Sequence, residues 1–118
     1  MNMNKIFILL SFFVGFSMNA QTNTNTGTES LESNDSGTNN TAFGSYTLYT
    51  NSTGVANTAV GRSALQSNTI GINNSAFGHY ALLSNTTGAN NTAVGASSLR
   101  SNTIGANNTA IGLNSMYN

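Results

Sequence analysis

The strongest constraint on this chain is a period. From Gly37 onward a glycine recurs every 17 residues, at Gly54, Gly71, Gly88 and Gly105. A second glycine follows seven residues into each copy: Gly44, Gly61, Gly78, Gly95 and Gly112. The unit is typified by Gly88–Ile104, GANNTAVGASSLRSNTI. Counted from the first glycine, position 4 is always asparagine, from Asn40 to Asn108, and position 6 always alanine, from Ala42 to Ala110. Position 7 is Phe43, Val60, Phe77, Val94 or Ile111, and position 12 is Leu48, Leu65, Leu82, Leu99 or Met116. Position 15 is Asn51, Asn68, Asn85 or Asn102, whereas positions 9 and 13 vary widely.

This spacing excludes a helical repeat. Positions 7 and 12 are five apart and the next position 7 follows twelve later, and neither interval fits a 3.6-residue turn. Seventeen residues are also fewer than the ~33–34 of helix-pair repeats. Two pieces of each unit are strand-like: Asn-Thr-Ala-Val before the inner glycine, and the stretch around the leucine. Glycine and Asn-Thr clusters between them supply the positive φ angles and side-chain-to-backbone bonds that turns need. The expected fold class is therefore all-β, a β-solenoid of five stacked 17-residue coils over 37–118 starting at 37, 54, 71, 88 and 105. The last coil is incomplete, so the chain reads as a fragment or a truncated frame. Equivalent residues would stack at ~4.8 Å. Asparagines at positions 4 and 15 are expected to form amide ladders, and Val/Phe with Leu to fill the interior. Alanine at position 6 lies on the opposite strand face. That face is either approached closely by a neighbouring chain or is a narrow coil interior.

A longer period overlies the first. Position 7 alternates Phe and Val, position 10 alternates Tyr46, Ser63, Tyr80, Ser97, and position 17 alternates Thr53, Ile70, Thr87, Ile104. Bulky and small residues in neighbouring coils would interdigitate, and duplication of a 34-residue block would give the same pattern.

Ahead of the array, Met1–Ala20 reads as a secretory signal peptide. Lys5 is its positive n-region, and Ile6–Met18 is an apolar run too short for the ~20 residues that span a bilayer. Cleavage after Ala20 would export the chain without membrane insertion of the mature protein. Cysteine is absent, which excludes a lipoprotein anchor, disulfides and thiolate metal sites. The segment 21–36 carries Glu29, Glu32 and Asp35 and one apolar side chain, Leu31. It reads as a disordered linker.

Charged residues are only 5% of the chain and the formal net charge is zero, which leaves no basic footprint for nucleic acid. The array holds no Asp, Glu, Lys or Cys. No carboxylate is available to orient His79, so no acid–base pair or triad assembles, and catalytic, cofactor and metal sites are all expected to be absent. Calcium-binding solenoids need aspartate ladders, which are lacking. Arg62 and His79 at position 9, Arg100 at position 13, and Tyr46 and Tyr80 at position 10 are the candidate surface-recognition residues. Tyr49 and Tyr117 are the remaining tyrosines. Thr41, Thr58, Ser75, Thr92 and Thr109 at position 5 would form a hydroxyl ladder. A thin coil stack without disulfide or metal is expected to associate laterally, as a homo-oligomer and most simply a trimer.

The segments Asn57-Thr58-Ala59-Val60-Gly61, Asn91-Thr92-Ala93-Val94-Gly95 and Asn108-Thr109-Ala110-Ile111-Gly112 resemble the head repeats of trimeric autotransporter adhesins. The fuller Gly-x-Asn-Asn-Thr-Ala pattern is also similar to repeats of bacterial surface and phage tail-fibre-like proteins. The resemblance covers the whole array. It implies a left-handed parallel β-roll, three chains together, at a bacterial cell surface. The family's head unit is shorter than 17 residues, so the extra residues would enlarge a turn. No coiled-coil stalk or β-barrel anchor follows in this sequence, so the resemblance extends to a head module only.

Three functions follow as expectations. The first is a secreted, non-catalytic adhesive repeat protein that displays positions 9, 10 and 13 to an extracellular protein or glycan. The second is an ice-binding solenoid using the threonine ladder. The third is the shaft of a fibre-like protein whose C-terminal chaperone domain lies outside this chain.

Overall fold

In a computed structural model of the protein, residues 22–117 are described, and they contain no helix. The signal peptide read over Met1–Ala20 lies outside them. Six three-residue strands recur at the 17-residue period: β1 (Thr24–Thr26), β2 (Thr41–Phe43), β3 (Thr58–Val60), β4 (Ser75–Phe77), β5 (Thr92–Val94) and β6 (Thr109–Ile111). They form one parallel sheet in sequence order. Each residue pairs with its equivalent one unit later, as in Ala42 with Ala59 and Ala59 with Ala76. The expected β-solenoid is the observed fold.

There is one coil more than expected. The segment read as a disordered linker is a coil over its described residues, 22–36, and β1 pairs in register with β2. Its sequence keeps the scaffold positions: Asn23 at position 4, Gly27 at 8, Leu31 at 12 and Asn34 at 15. Within 22–36 the scaffold departs at positions 6 and 7, as Asn25 and Thr26. The coils are numbered here from this one: the first spans 22–36, and the second to sixth start at 37, 54, 71, 88 and 105.

The interior corrects a second expectation. Alanine at position 6 points inward and is fully buried in Ala42, Ala59, Ala76 and Ala93. Position 7 points out, so the Val/Phe row does not fill the coil; Phe43 and Phe77 are each 42% exposed. The leucines at position 12 are buried as expected, with position 11 (Thr47, Ala64, Ala81, Ser98) beside them. The physical reason is room. Leucine from the turn and two rows of asparagine already occupy the coil, so the strand can contribute only a methyl group. The narrow-interior reading of alanine is therefore the correct one, and no neighbouring chain can reach that face.

The asparagine ladders form, and they meet. Asn68 Nδ2 donates to Asn51 Oδ1 at 2.8 Å, and Asn85 Nδ2 to Asn68 Oδ1 at 2.9 Å. At position 4, Asn57 Oδ1 accepts from both the backbone N–H and Nδ2 of Asn74, at 3.0 and 3.1 Å. Both rows then converge on the position 1 carbonyl: Gly71 O accepts from Asn57 Nδ2 at 2.8 Å and from Asn68 Nδ2 at 3.1 Å. Among the described residues no buried side-chain nitrogen or oxygen lacks a partner, which is the condition for a polar interior to be stable. Position 1 must be glycine because of this crowding. A Cβ on Gly71 would lie 2.6 Å from the Gly88 carbonyl oxygen and closer still to Asn68 Oδ1.

The leucine stretch is not a second strand. Positions 10 and 12 take positive φ, as in Ser63 (58°) and Leu65 (52°), and this breaks the strand while leaving coil-to-coil hydrogen bonds such as Leu65 N–H to Ala81 O at 3.0 Å. It also explains why position 12 is Leu or Met and never Val or Ile, because a β-branched side chain is a true outlier at positive φ.

Candidate functional site

The solenoid segregates its chemistry by position. Glu29, Glu32, Tyr46, Tyr49, Arg62, His79, Tyr80, Arg100 and Tyr117 all fall at positions 9, 10 or 13. Asp35, at position 16, is the exception among the ionisable side chains of the described residues. Stacking in register turns these three positions into one strip along the rod. The remaining outer surface carries Asn, Thr, Ser, Gly and aliphatic or phenyl side chains.

The 34-residue alternation acts on the surface, at position 7 of the outer sheet face and at position 10 of this strip, and not in the core. Position 10 is where it matters most. Tyr46 and Tyr80 are two coils apart, roughly 9–10 Å at the parallel-strand spacing. Between them the third coil offers only Ser63, which is 4% exposed. The result is a cleft of about 410 Å³ with tyrosine on either side and Arg62, Gln66, Leu83 and Arg100 completing its lining. Alternation of large and small residues therefore builds a slot in the surface, where interdigitation within the core was expected. Exchanging Tyr for Ser at position 10 leaves the backbone alone, since Tyr46, Ser63, Tyr80 and Ser97 have φ of 60°, 58°, 62° and 57°.

Four of the five candidate recognition residues, Tyr46, Arg62, Tyr80 and Arg100, line this one cleft. The fifth, His79, stacks on Tyr80 with ring centroids 3.8 Å apart. Arg100 is held from two sides. Its guanidinium carbon lies 4.8 Å from the Tyr80 ring centroid and 5.5 Å from that of Tyr117, and its Nη1 donates to the Tyr117 hydroxyl at 3.0 Å. Such cation–π contacts fix a long side chain that would otherwise sweep through solvent. Tyr46 meets Tyr49 edge-on at 5.9 Å.

Ser63, Gln66 and Leu83 were not foreseen as lining residues. Position 13 varies from coil to coil and position 10 alternates Tyr and Ser, so reading each of these positions down the stack finds them. Glu29 and Glu32 were missed for another reason: they belong to the coil that was read as linker. They occupy positions 10 and 13 of the first coil, and so give the strip an acidic end one coil before Tyr46.

The threonine ladder is in register. Thr41, Thr58, Ser75, Thr92 and Thr109 pair through β2 to β6. They share the sheet's outer face with position 7, whose phenylalanines project beyond the valines.

Among the described residues no group of three His, Asp or Glu side chains is placed to hold a metal ion, and no helix is long and apolar enough to cross a membrane. Compared with protein-family models, curated proteins and solved structures, the chain has no match.

Proposed function

We propose that this protein is a secreted, non-catalytic adhesive repeat protein of the cell surface, and that its strip of positions 9, 10 and 13 is the adhesive face. The observation that carries this reading is segregation. The fixed positions are consumed by the scaffold, while aromatic, cationic and histidine side chains gather on a single strip around a cleft. Aromatic and arginine side chains are the residues that dominate recognition surfaces. A rod that repeats one strip also offers multivalent contact, in which weak sites add up through effective concentration.

Lateral association of copies, most simply as a trimer, belongs to the same proposal. The outer sheet face would mediate it, since Phe43, Val60, Phe77, Val94 and Ile111 form an apolar row there and the alanines do not.

The test is retention of beads coated with the chain on surfaces bearing collagen, mucin, alginate or hyaluronan. The comparison is a levelled strip carrying Tyr46→Ser, Arg62→Ala, Tyr80→Ser and Arg100→Gln. Each replacement is a residue that the same position already carries in another coil: Ser63, Ala96, Ser97 and Gln66. The proposal expects wild-type beads to be retained and levelled beads to wash off with the fold intact. Equal behaviour on every surface would contradict it.

Ice binding is the second reading, favoured by the in-register threonine file. The phenylalanines beside it interrupt the flatness that ordered water requires, which is why it ranks second. Thermal hysteresis that is lost in Thr58→Val and Thr92→Val would promote it.

A further inference from the structure

We infer that the cleft between Tyr46 and Tyr80 takes a carboxylate-bearing sugar ring, a uronic acid unit of an acidic polysaccharide. The inference rests on the adhesive reading and adds the chemistry of the ligand.

Four features of the site converge on this class. First, the walls are tyrosines roughly 9–10 Å apart at the coil spacing; the Tyr80 ring already carries His79 and the Arg100 guanidinium, so the flat C–H face of a pyranose has the Tyr46 ring to stack on, with Tyr80 closing the far side. Second, Ser63 and Gln66 offer hydroxyl and amide groups suited to the hydrogen-bonding pattern of sugar hydroxyls, with donor and acceptor in each. Third, the charge within the cleft has one sign. Arg62 and Arg100 line it and no carboxylate does. Guanidinium groups match a carboxylate in shape as well as charge. Arg100 is pre-positioned by Tyr80 and Tyr117 and, among the described residues, has one of its N–H groups engaged, on the Tyr117 hydroxyl, so little freedom is lost when a ligand arrives. Fourth, the volume of about 410 Å³ lies in the lower part of the ~300–1,000 Å³ range of small-ligand sites.

A peptide ligand fits less well. Backbone N–H groups along this strip are hydrogen-bonded between coils, as in Ser63 N–H to Ser45 O at 2.9 Å and Tyr80 N–H to Arg62 O at 3.1 Å. An added strand would find few free partners. The acidic first coil sets a direction. Glu29 and Glu32 would repel a polyanion at that end, so the polysaccharide would lie from Tyr46 toward Tyr117.

The experiment measures binding of the chain to polygalacturonate oligosaccharides, to their carboxyl-reduced neutral counterparts and to dextran sulfate. Wild type, Tyr46→Ser/Tyr80→Ser and Arg62→Ala/Arg100→Gln proteins are compared by calorimetry. The inference expects the acidic oligosaccharide to bind and the neutral one to bind at least tenfold more weakly. Each double variant should lose about tenfold or more while its melting temperature stays unchanged. Equal binding of acidic and neutral sugars overturns the assignment. So does binding of dextran sulfate that ignores the tyrosine substitutions, because that is simple polyanion attraction. Absence of sugar binding while coated beads still adhere overturns the ligand class and leaves the adhesive reading standing; loss of bead adhesion as well overturns both.

Discussion

Asn68 and Asn51, one coil apart and both fully buried, are joined by a 2.8 Å bond from Nδ2 to Oδ1. In an ordinary core two buried primary amides would be a liability. Here each donor and acceptor is consumed, by the next rung and by the position 1 carbonyl. The ladder therefore specifies register: a coil that slipped by one residue would face an amide with a methyl group or a hydroxyl.

Interrupting the ladder should be costly. Asn68→Ala leaves Asn51 Oδ1 without its donor and Asn85 Nδ2 without one of its two acceptors. With roughly 1–3 kcal/mol for each buried group left unpaired, a loss of about 2–4 kcal/mol is expected in urea unfolding, against a smaller loss for Asn90→Ala, which gives up exposed amide bonds to Asn73 and Asn107 at a position where Ala56 already holds the same φ of 57°.

Asn68→Asp adds a pH dependence. A carboxylate there would face Asn51 Oδ1 and the Gly71 carbonyl, so folding would favour the protonated acid and raise its pKa above the ordinary ~3.9. Folded protein then binds more protons than unfolded protein above that value. Stability should be greatest below about pH 4 and fall as pH rises through the raised folded value. Melting temperatures at pH 3 and pH 7 would check the sign; the wild type lacks this ionisation.

Position 12 separates backbone strain from hydrophobicity. Leu65→Ile keeps volume but puts a β-branched residue at φ 52°, and is expected to lose about 1–2 kcal/mol. Leu65→Met, the residue of the sixth coil, should lose less than ~1.5 kcal/mol. Equal melting temperatures for the two would contradict this account of the turn.

The outer sheet row should govern association. Phe43→Thr/Phe77→Thr copies Thr26 of the first coil and touches no interior contact. Sedimentation should shift toward monomer with an unchanged far-ultraviolet spectrum. Ala76→Val, pushed into a filled interior, should instead destabilise the fold by about 1–3 kcal/mol.

The period, the parallel coil, the two asparagine ladders and the strip of positions 9, 10 and 13 were all legible in the sequence. The inside and outside of the strand were not. Alternation says that Ala93 and Val94 point opposite ways, but hydrophobicity favours valine for the interior. Only the space left by Leu99 and the asparagine rows decides for alanine. The first coil was hidden because Asn25 and Thr26 replace the apolar pair. Counting 17 back from Asn40, Gly44, Leu48 and Asn51 reaches Asn23, Gly27, Leu31 and Asn34, a signal carried by polar and glycine positions. The cleft was half legible: the Tyr/Ser alternation at position 10 was visible, but not that Arg62, Gln66, Leu83 and Arg100 from neighbouring coils close around the gap at Ser63.

Side-chain amide exchange tests the scaffold most directly. In NMR spectra of the folded chain, the Nδ2 protons of Asn57, Asn68, Asn74 and Asn85 should exchange with solvent far more slowly than those of the exposed Asn39, Asn90 and Asn107. That result would establish two interior amide ladders and leave positions 9, 10 and 13 as the free face. Uniformly fast exchange of all asparagine side chains would contradict it.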